Sequence, residues 1–509
     1  MRASNRRLTR SALAALTALA STALAQPARQ DTAAEGWRML TANDVEAAHA
    51  LLADNHPAAA PEVGDDTFLA TLAAAYTRAL VQSNLVTSYP GYVAVLGEFA
   101  NSMGDAHIWS RPAYEQGGLA FAGVVFRPAS VEWAGLIAAK RGANWIIARE
   151  DPDVVGEDLV GARLIDCSGT PIDDWARDTL GRYRVVWSVQ AMRVLAAPWL
   201  LVDERNPFVT RPDSCTIRAG TETRRIDLHW RRASREKFLG MIGDVHGSAG
   251  FGVRELGAGY WIGLESLSAR ALEVLEAARK QEAGLRAAPF VVVDLRGNAG
   301  GGDSPGRALA DVLYGNAYVE AVLGPGPPDE EETACPEAWR ASPGNIAAAE
   351  EAARKFAALG RADTSREYQK AVDAMRAALD QHRAFTAPLT CPAAESAPAP
   401  SAPSQMRGRV VVLTDSACFS SCITVVGYFE KLGATLVGQT TGADTHYAEV
   451  REITLPSGLS AFSTLQAIMP DAPLHIGPYV PAMEYSGDIS DTAALEQWIT
   501  RTVVRGLPD

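Results

Sequence analysis

The sequence predicts an α/β protein built on a largely parallel sheet, preceded by a helical region and a small β-rich module. From about residue 250, apolar strands such as PFVVVDL and RVVVLTD alternate with helical stretches such as ALEVLEAARKQEAGL. Strands that are apolar throughout are typical of a parallel sheet covered on both faces. Residues 36–103 repeat apolar side chains at three-to-four spacing, and short β-rich runs separated by turn residues follow them.

These patterns divide the chain into four predicted segments. They are a signal peptide at 1–25, an N-terminal helical domain at 26–115, a β-rich module at 116–235 and an α/β domain at 236–509. Residues 328–407 form a helical insertion in the last domain, ending in a Pro/Ala/Ser-rich linker. The insertion is either a solvated decoration or a lid over the site.

The first 25 residues have the composition of an export signal. Four arginines precede an apolar, small-residue stretch, and Ala23-Leu24-Ala25 fits a cleavage site. The apolar stretch is shorter than the ~20 residues that a membrane-spanning helix needs. We therefore expect an exported protein, periplasmic or extracellular, without a stable membrane span.

The charge of the chain excludes one class of partner. The formal net charge is -13, and cleavage of the arginine-rich signal peptide makes the remainder more negative. Such a surface repels phosphate backbones, so nucleic acid is not expected as a partner.

All six cysteines lie in the part predicted to be exported, where disulfides can form. Six cysteines allow fifteen connectivities. Nesting suggests the pairs Cys167–Cys215, Cys335–Cys391 and Cys418–Cys422. Because Cys418 and Cys422 have no second ligand pair close by, a zinc site is not favoured there, and neither metal nor cofactor is expected.

The first motif that could support binding or catalysis runs from Asp294 to Asp303, DLRGNAGGGD. It directly follows an apolar strand. Glycines at the end of a strand let backbone N–H groups point into a cleft, where they can hold an anion or an oxyanion. The spacing is not that of a dinucleotide-binding loop, and the lysine of a P-loop is missing.

The second motif, Asp415 to Cys422, lies between an apolar strand and an amphipathic helix. A serine at such a turn exposes its hydroxyl beside the free N–H groups of the helix N-terminus, which suits nucleophilic acyl transfer. The alternative is that Ser416, Ser420 or Ser421 only caps the helix.

The third motif, GDAHIWS, contains His107 and follows the N-terminal helices. A lone histidine is more often structural than catalytic. Asp105 could orient His107, but residues two apart on a strand only point the same way, which does not by itself bring the two side chains into contact.

Together, VVVDLRGNAGG, VVLTDSACFSSC and LGATLVGQTTG resemble the C-terminal processing (tail-specific) protease family, closer to its branch with the tricorn core protease and interphotoreceptor retinoid-binding protein. The resemblance implies a crotonase-like (ClpP-type) α/β catalytic domain. It also implies a PDZ-like module, in which LVGARLIDCSGTPI is similar to the carboxylate-proximal strand.

The same resemblance implies a set of site residues. It places the nucleophile at Ser420 and the base at His107, because GDAHIWS is similar to the Asp-x-His element of the tricorn-like branch. It makes the N–H groups of Gly300, Gly301 and Ser421 the oxyanion donors.

The chain departs from the family pattern in three places. The family's catalytic lysine is missing from Thr440-Thr-Gly-Ala-Asp444-Thr-His, and Lys431 lies on the preceding helix. A histidine base is therefore needed, His107 first and His446 as the runner-up. Ala106 replaces the serine that precedes the histidine in the tricorn-like branch. The acidic third member has three candidates: Asp444, Glu449 and Glu484.

The predicted function is that of a secreted serine-type peptidase acting on peptides or proteins. The alternative is a non-catalytic binding protein of the same fold, for a hydrophobic ligand or a peptide; an esterase-like activity is a third possibility. The middle module is expected to bind a peptide terminus by strand addition, as PDZ-like domains do.

Overall fold

The computed structural model describes residues 26–112, 130–156, 158–243, 245–324, 335–391 and 402–504. The predicted signal peptide at 1–25 lies outside these ranges. Within them, no helix has both the length and the apolar character that crossing a membrane requires.

The N-terminal region is helical, as the apolar spacing predicts. Its helices are α1 (Gln26–Asn55), α2 (Asp66–Ser83) and α3 (Tyr89–Asn101). The Asp65 side chain caps α2 by accepting a hydrogen bond from the Phe68 amide at 2.9 Å. Helix α2 buries one face, with Phe68, Leu72 and Ala75 at the expected spacing.

The next region contains most of the short strands. They are β1 (Ser110–Pro112), β2 (Ser130–Trp133), β3 (Leu136–Arg141), β4 (Asn144–Glu150), β5 (Arg163–Cys167), β6 (Thr170–Pro171), β7 (Val202–Asp203), β8 (Ser214–Ala219), β9 (Glu222–Asp227) and β10 (Arg231–Ser234). Its helices are α4 (Ile172–Ala176), α5 (Gln190–Ala196) and α6 (Arg235–Gly243).

All of these strands except β1 form two antiparallel sheets. One has the order β3-β4-β5-β8-β9 with β6 beside β5, and the other has the order β10-β2-β7. The disulfide Cys167–Cys215 joins β5 to β8 where the two cysteines pair in register. The region is therefore β-rich, as predicted.

The α/β domain contains a six-stranded sheet and the helices around it. Its strands are β11 (Phe251–Leu256), β12 (Gly259–Leu264), β13 (Phe290–Asp294), β15 (Arg409–Thr414), β16 (Thr435–Gly438) and β21 (Met483–Glu484). Its helices are α7 (Ala269–Lys280), α8 (Glu282–Ala287), α9 (Ser304–Tyr314), α10 (Asn316–Leu323), α13 (Ser421–Lys431) and α14 (Thr492–Trp498).

This sheet has the order β11-β12-β13-β15-β16-β21 and is parallel except for the β11–β12 pair. Strand β13 is buried on both faces. Val291 and Val293 pack into the cluster with α7, α9 and α13, whereas Val292 packs into the cluster with α14. Cover on both faces explains why the first four residues of β13, Phe290 to Val293, are all apolar.

Another sheet, built on β19 (Ser460–Ile468), links the N-terminal region to the α/β domain. Its other strands are β14 (Ala338–Trp339) and β18 (Tyr447–Thr454), and β1 also pairs with β19. Strands β17 (Asp444–Thr445) and β20 (His475–Ile476) form a separate ribbon. The N-terminal helices share a core with β19, where Phe99 lies 5.7 Å from Phe462 between ring centroids.

The described part of the insertion is helical, as predicted. It contains α11 (Pro343–Ala358) and α12 (Ala362–Asp380), and the disulfide Cys335–Cys391 closes its base. The Tyr368 hydroxyl on α12 donates a hydrogen bond to Glu449 Oε2 on β18 at 3.0 Å. All three cysteine pairs suggested by nesting are thus observed.

Candidate active site

The two predicted α/β motifs meet at one edge of the parallel sheet. Strands β13 and β15 are parallel neighbours, with Asp294 opposite Leu413. The glycine-rich loop follows β13, and the serine turn follows β15. The carboxyl ends of neighbouring parallel strands form the crevice where α/β proteins commonly bind their ligands.

Ser420 has an unusual backbone conformation at the end of the turn before α13. Its φ is 57° and its ψ is -135°, and its side chain makes no capping hydrogen bond. Such a conformation costs about 1–3 kcal/mol in a residue other than glycine, and strain of this size clusters at functional sites. Ser420 therefore occupies the N-cap position of α13 without capping the helix through its side chain.

The turn before Ser420 is braced from two sides. The disulfide Cys418–Cys422 ties it to the first turn of α13. The Gly442 amide donates a hydrogen bond to the Cys418 carbonyl at 2.8 Å. A Cβ at Gly442 would lie 2.9 Å from that carbonyl oxygen, so the close contact requires glycine.

Replacing Cys418 and Cys422 together by serine is expected to lower kcat/KM by roughly 10- to 100-fold, because small displacements of catalytic groups have effects of this size. The melting temperature should change little, since the bridge spans a separation of only 4 residues. The matched control replaces Cys167 and Cys215, which are separated by 48 residues in the β-rich region. That variant should lose stability and keep its kcat/KM; the reverse pattern would contradict a local role for Cys418–Cys422.

Asn298 shapes the glycine-rich loop from a fully buried position. Its side-chain Nδ2 donates to the Leu264 carbonyl at 2.6 Å, and its Oδ1 accepts from the Gly300 amide at 2.9 Å. Its own carbonyl accepts from the Phe419 amide at 3.3 Å, which connects the loop to the serine turn. The prediction that Gly300 donates to an oxyanion is corrected here, because this amide is already bonded within the loop.

The loop nevertheless lies directly against the serine turn. A Cβ at Gly300 would lie 2.8 Å from Ser420 Cβ, and Gly300 has a φ of 99°. The Ser421 hydroxyl donates to the Gly301 carbonyl at 2.8 Å. In the hydrogen bonds found among the described residues, the Gly301 and Ser421 amides have no partner, so both remain candidate oxyanion donors.

His107 lies in a turn between α3 and β1 and is 9% exposed. The Asp105 carboxylate accepts a hydrogen bond from the His107 amide at 2.7 Å, and the Ser463 hydroxyl donates to the His107 carbonyl at 2.6 Å. Asp105 Oδ1 is 3.7 Å from His107 Nδ1. Asp105 and His107 do not lie on a strand, and Asp105 fixes the turn by bonding the His107 amide.

Asp444 is the carboxylate closest to the His107 ring among the described residues. Its Oδ1 lies 2.9 Å from His107 Nδ1, as a close ion pair that is not aligned as a hydrogen bond. Catalytic hydrogen bonds are often poorly aligned before a substrate binds. Thr445, its partner on β17, donates from its hydroxyl to Asp105 Oδ2 at 2.7 Å, so the two acidic groups are held together.

The electrostatics favour a protonated His107 more than in an ordinary histidine. Burial opposes the charge, but the carboxylates of Asp444 and Asp105 outweigh it and raise the pKa of His107 above 6.5. The Asp105 carboxyl is itself buried, and this burial raises its pKa. His107 is thus tuned to accept a proton, which is what a general base must do.

Asp105, His107 and Asp444 are also the one group among the described residues whose donor atoms could hold a metal ion, within 4.8 Å of one another. Both Asp105 oxygens already accept hydrogen bonds from protein groups. The set therefore fits a histidine held by two carboxylates better than a metal centre.

The other acidic and basic candidates lie elsewhere. Glu449 accepts the hydrogen bond from Tyr368, and Glu484 is exposed on β21, so neither contacts His107 and their prediction as third members is wrong. His446 packs edge-on against Tyr447 and does not line the cavity that holds Ser420. Lys431 ends α13 and does not line that cavity either.

His107 and Ser420 line the same cavity, which has a volume of about 980 Å³. The Phe419 ring, also in the wall, lies 4.5 Å from the His107 ring between centroids. Other wall residues come from α3, from β1 and β2, and from the β-rich region. None comes from the described parts of the insertion, residues 335–391 and 402–407, so these residues do not line the cavity.

Residues 261–471 match the model of peptidase family S41. This part of the chain is therefore similar to the domain of that family. The predicted resemblance to the C-terminal processing proteases is confirmed, and the match supports a serine-type peptidase.

Solved structures of CPAF share the fold at low sequence identity, and other solved structures are less similar. Mature CPAF is 14% identical with a TM-score of 0.57, and the match covers 93% of this chain and 99% of that one. CPAF complexed with lactacystin is 13% identical with a TM-score of 0.59, covering 92% and 99%. The photosystem II D1 C-terminal processing protease is 11% identical with a TM-score of 0.35, covering 92% and 98%. Among curated proteins, none matches the sequence.

Sequence analysis missed two supporting residues of this site. Asn298 lies inside the DLRGN motif. Its position among the glycines of the loop was the signal that could have pointed to it. Thr445 directly follows Asp444, but nothing in the sequence shows that its hydroxyl reaches Asp105, 340 positions away.

Proposed function

We propose that the chain is an exported peptidase in which Ser420 is the nucleophile, His107 the general base and Asp444 the residue that orients the base. The observation that carries the proposal is that His107 and Ser420 line one cavity while His107 Nδ1 lies 2.9 Å from Asp444. Because Nδ1 faces the carboxylate, Nε2 is the nitrogen available to Ser420.

In this mechanism His107 Nε2 takes the proton from Ser420 Oγ as the oxygen attacks the carbonyl carbon of the scissile bond. The imidazolium is stabilised by Asp444 and then gives the proton to the leaving amine. Water, deprotonated by the same nitrogen, attacks the acyl-enzyme, and Ser420 recovers its proton as the acid product leaves.

The developing oxyanion is held by the amides of Gly301 and Ser421. Ser421 is the first residue of α13, where amides lack partners within the helix and the helix dipole favours negative charge. Loss of one such donor typically lowers turnover by about 100- to 1000-fold.

The substrate is a peptide or protein, bound in the cavity between the N-terminal helices and the β-rich region. We assign the α/β domain to the crotonase-like (ClpP-type) class, because its parallel sheet presents both loops at one edge. The β-rich region is proposed as a PDZ-like module that binds a peptide terminus by strand addition. Export is supported by the three disulfides, which form in oxidising compartments.

A fluorophosphonate probe tests the proposal on the purified mature protein. The wild type should be labelled, and the modified peptide should carry the probe on Ser420. The Ser420→Ala variant should not be labelled. The matched control is Ser416→Ala, which removes a hydroxyl from the same turn that bonds Gln439 and does not line the cavity. Lactacystin, which forms a complex with CPAF, is a suitable competitor.

Persistent labelling of Ser420→Ala would overturn the assignment of the nucleophile. A wild type that resists labelling at every pH from about 6 to 9 would instead favour the non-catalytic binding protein.

Replacing Asp444 by asparagine is expected to lower kcat by up to about 10⁴-fold, because the amide does not stabilise the imidazolium or fix its tautomer. The acid limb of the pH–kcat profile should also move to lower pH, since one carboxylate that raises the pKa of His107 is lost. Glu484→Gln, a change to another predicted third member, is the control and should leave the profile unaltered. An equal loss in both variants would contradict the role of Asp444.

A further inference from the structure

The Asp415 carboxylate connects the two halves of the candidate active site. It lies directly after β15 and is 4% exposed. Its Oδ2 accepts a hydrogen bond from the Gly297 amide at 3.0 Å, and its Oδ1 accepts one from the Ala417 amide at 3.0 Å. Gly297 belongs to the glycine-rich loop and Ala417 to the serine turn, so one side chain joins both segments.

Among the described residues, no cationic side chain forms an ion pair with Asp415. The adjacent Arg296 directs its guanidinium to Asp294, with Nη2 at 2.7 Å from Oδ2, and to the Ile489 carbonyl at 2.8 Å. Gly247 closes another side, where a Cβ would lie 3.1 Å from Asp415 Oδ2. A buried carboxylate without a paired cation is expensive to keep, which asks for a functional reason.

We propose that Asp415 is a positioning residue whose ionised carboxylate holds the glycine-rich loop and the serine turn in the relative position that forms the oxyanion site. The proposal rests on the proposed function of Ser420 and His107. Asp415 touches neither the substrate nor the reacting atoms. It acts through Gly297 and Ala417 on the Gly301 and Ser421 amides.

The ionised carboxylate accepts from both amides, one on each oxygen, and is the stronger acceptor. Protonation removes its charge and turns one oxygen into a hydroxyl, which weakens the hydrogen bond from the amide on that oxygen. Burial raises the pKa of Asp415 to about 7; the amides of Gly297 and Ala417 lower it, Asp294 raises it and Arg296 lowers it. The change between the ionised and the protonated Asp415 carboxyl therefore falls in the pH range in which a histidine-based peptidase works.

Other charged groups face the same place from neighbouring elements. A cavity of about 30 Å³ beside Asp415 is lined by His246, by Lys140 and Arg141 of β3, and by Asp488 of the C-terminal segment. Arg141 Nη2 lies 3.5 Å from Asp488 Oδ2, so these two charges are already paired. Burial lowers the pKa of His246 and keeps it neutral near pH 7.

Ionisation of Asp415 is expected to lower the stability of the fold while it supports activity. The pKa of Asp415 is about 7 in the folded protein against an ordinary value of 3.8, so the folded state holds this proton more tightly than the unfolded chain does. The contribution of Asp415 to stability is therefore present at low pH and is lost as pH rises toward 7. The ionised form that supports activity is the less stable one.

The test compares wild type with Asp415→Asn, which imitates the protonated side chain, over a pH series. In the wild type, log(kcat/KM) should fall on the acid side with a slope approaching 2, because Asp415 and His107 both take up protons. In Asp415→Asn the slope should be 1, and kcat at pH about 8 should be 10- to 100-fold lower, a loss of the size caused by misplaced catalytic groups. KM should stay within about twofold, and the melting temperature should fall less with rising pH than in wild type.

The matched control is Asp44→Asn, a buried aspartate among the N-terminal helices that bonds Tyr92. It should keep the wild-type slope of the acid limb. The proposal is overturned by a wild-type slope of 1, a result that requires no variant to fold. It is equally overturned by an Asp415→Asn variant with wild-type kcat. Failure of the wild type to react with the fluorophosphonate probe would instead reject the proposed function, so the two failures are distinguishable.

Discussion

Replacing His107 by alanine is expected to lower kcat by about 10⁶-fold, as loss of the base does in serine peptidases whose catalytic groups act as a unit. Without the imidazole, Ser420 loses the group that takes its proton in the proposed mechanism. The chain lacks the lysine that performs this step in the family it resembles. Steady-state kinetics on a peptide substrate and the rate of fluorophosphonate labelling both measure the loss.

His446→Ala is the matched control, since His446 is the other histidine close in sequence to Asp444. It does not line the cavity, and its burial lowers its pKa, so its removal should leave kcat within a few-fold. Wild-type activity should rise with pH through a value above 6.5, because the pKa of His107 is raised and the neutral ring is the active form. Normal activity in His107→Ala together with loss in His446→Ala would show that the base is misassigned.

The parts of the fold that sequence predicts are those with strong local patterns. Strand β13 and helix α2 were predictable because a buried parallel strand is apolar throughout and an amphipathic helix repeats every three to four residues. The sheet built on β19 was not predictable from local patterns. Its strand β19 pairs with β1, which is about 350 positions earlier in the chain, and only tertiary contacts define such a pair.

The candidate site also has a part that local sequence patterns predict and a part that they do not. Ser420 was predictable because its strand, turn and helix are contiguous and the motif continues on both sides. Asp444 could not be chosen over Glu449 or Glu484, since the choice depends on which carboxylate the β17–β20 ribbon brings to His107. The bond between Gly300 and Asn298 was also invisible, because glycines at a strand end appear equally free to donate until the loop is folded.

Replacing Arg296 by methionine is expected to lower the free energy of unfolding by about 3–5 kcal/mol, the range for a buried ion pair that loses one partner. Asp294 and Arg296 have side chains that are 0% and 1% exposed. The variant leaves the Asp294 carboxylate buried without its cation. It also removes the bonds to the Ile489 carbonyl and the Thr492 hydroxyl, which hold the C-terminal segment against the glycine-rich loop. Denaturant unfolding monitored by tryptophan fluorescence measures the change.

Arg254→Met provides a matched control, because Arg254 also joins the sheet to α14 through Glu496 but is 45% exposed. Exposed pairs contribute about 0–1 kcal/mol, so this variant should remain close to wild type. A double variant, Asp294→Leu with Arg296→Met, removes both charges and should recover much of the lost stability, since an apolar pair avoids the burial of an unpaired carboxylate. If the double variant is stable but hydrolyses its substrate poorly, the Asp294–Arg296 pair serves mainly to position the glycine-rich loop. If Arg296→Met unfolds like wild type, the buried pair does not hold this edge of the sheet together.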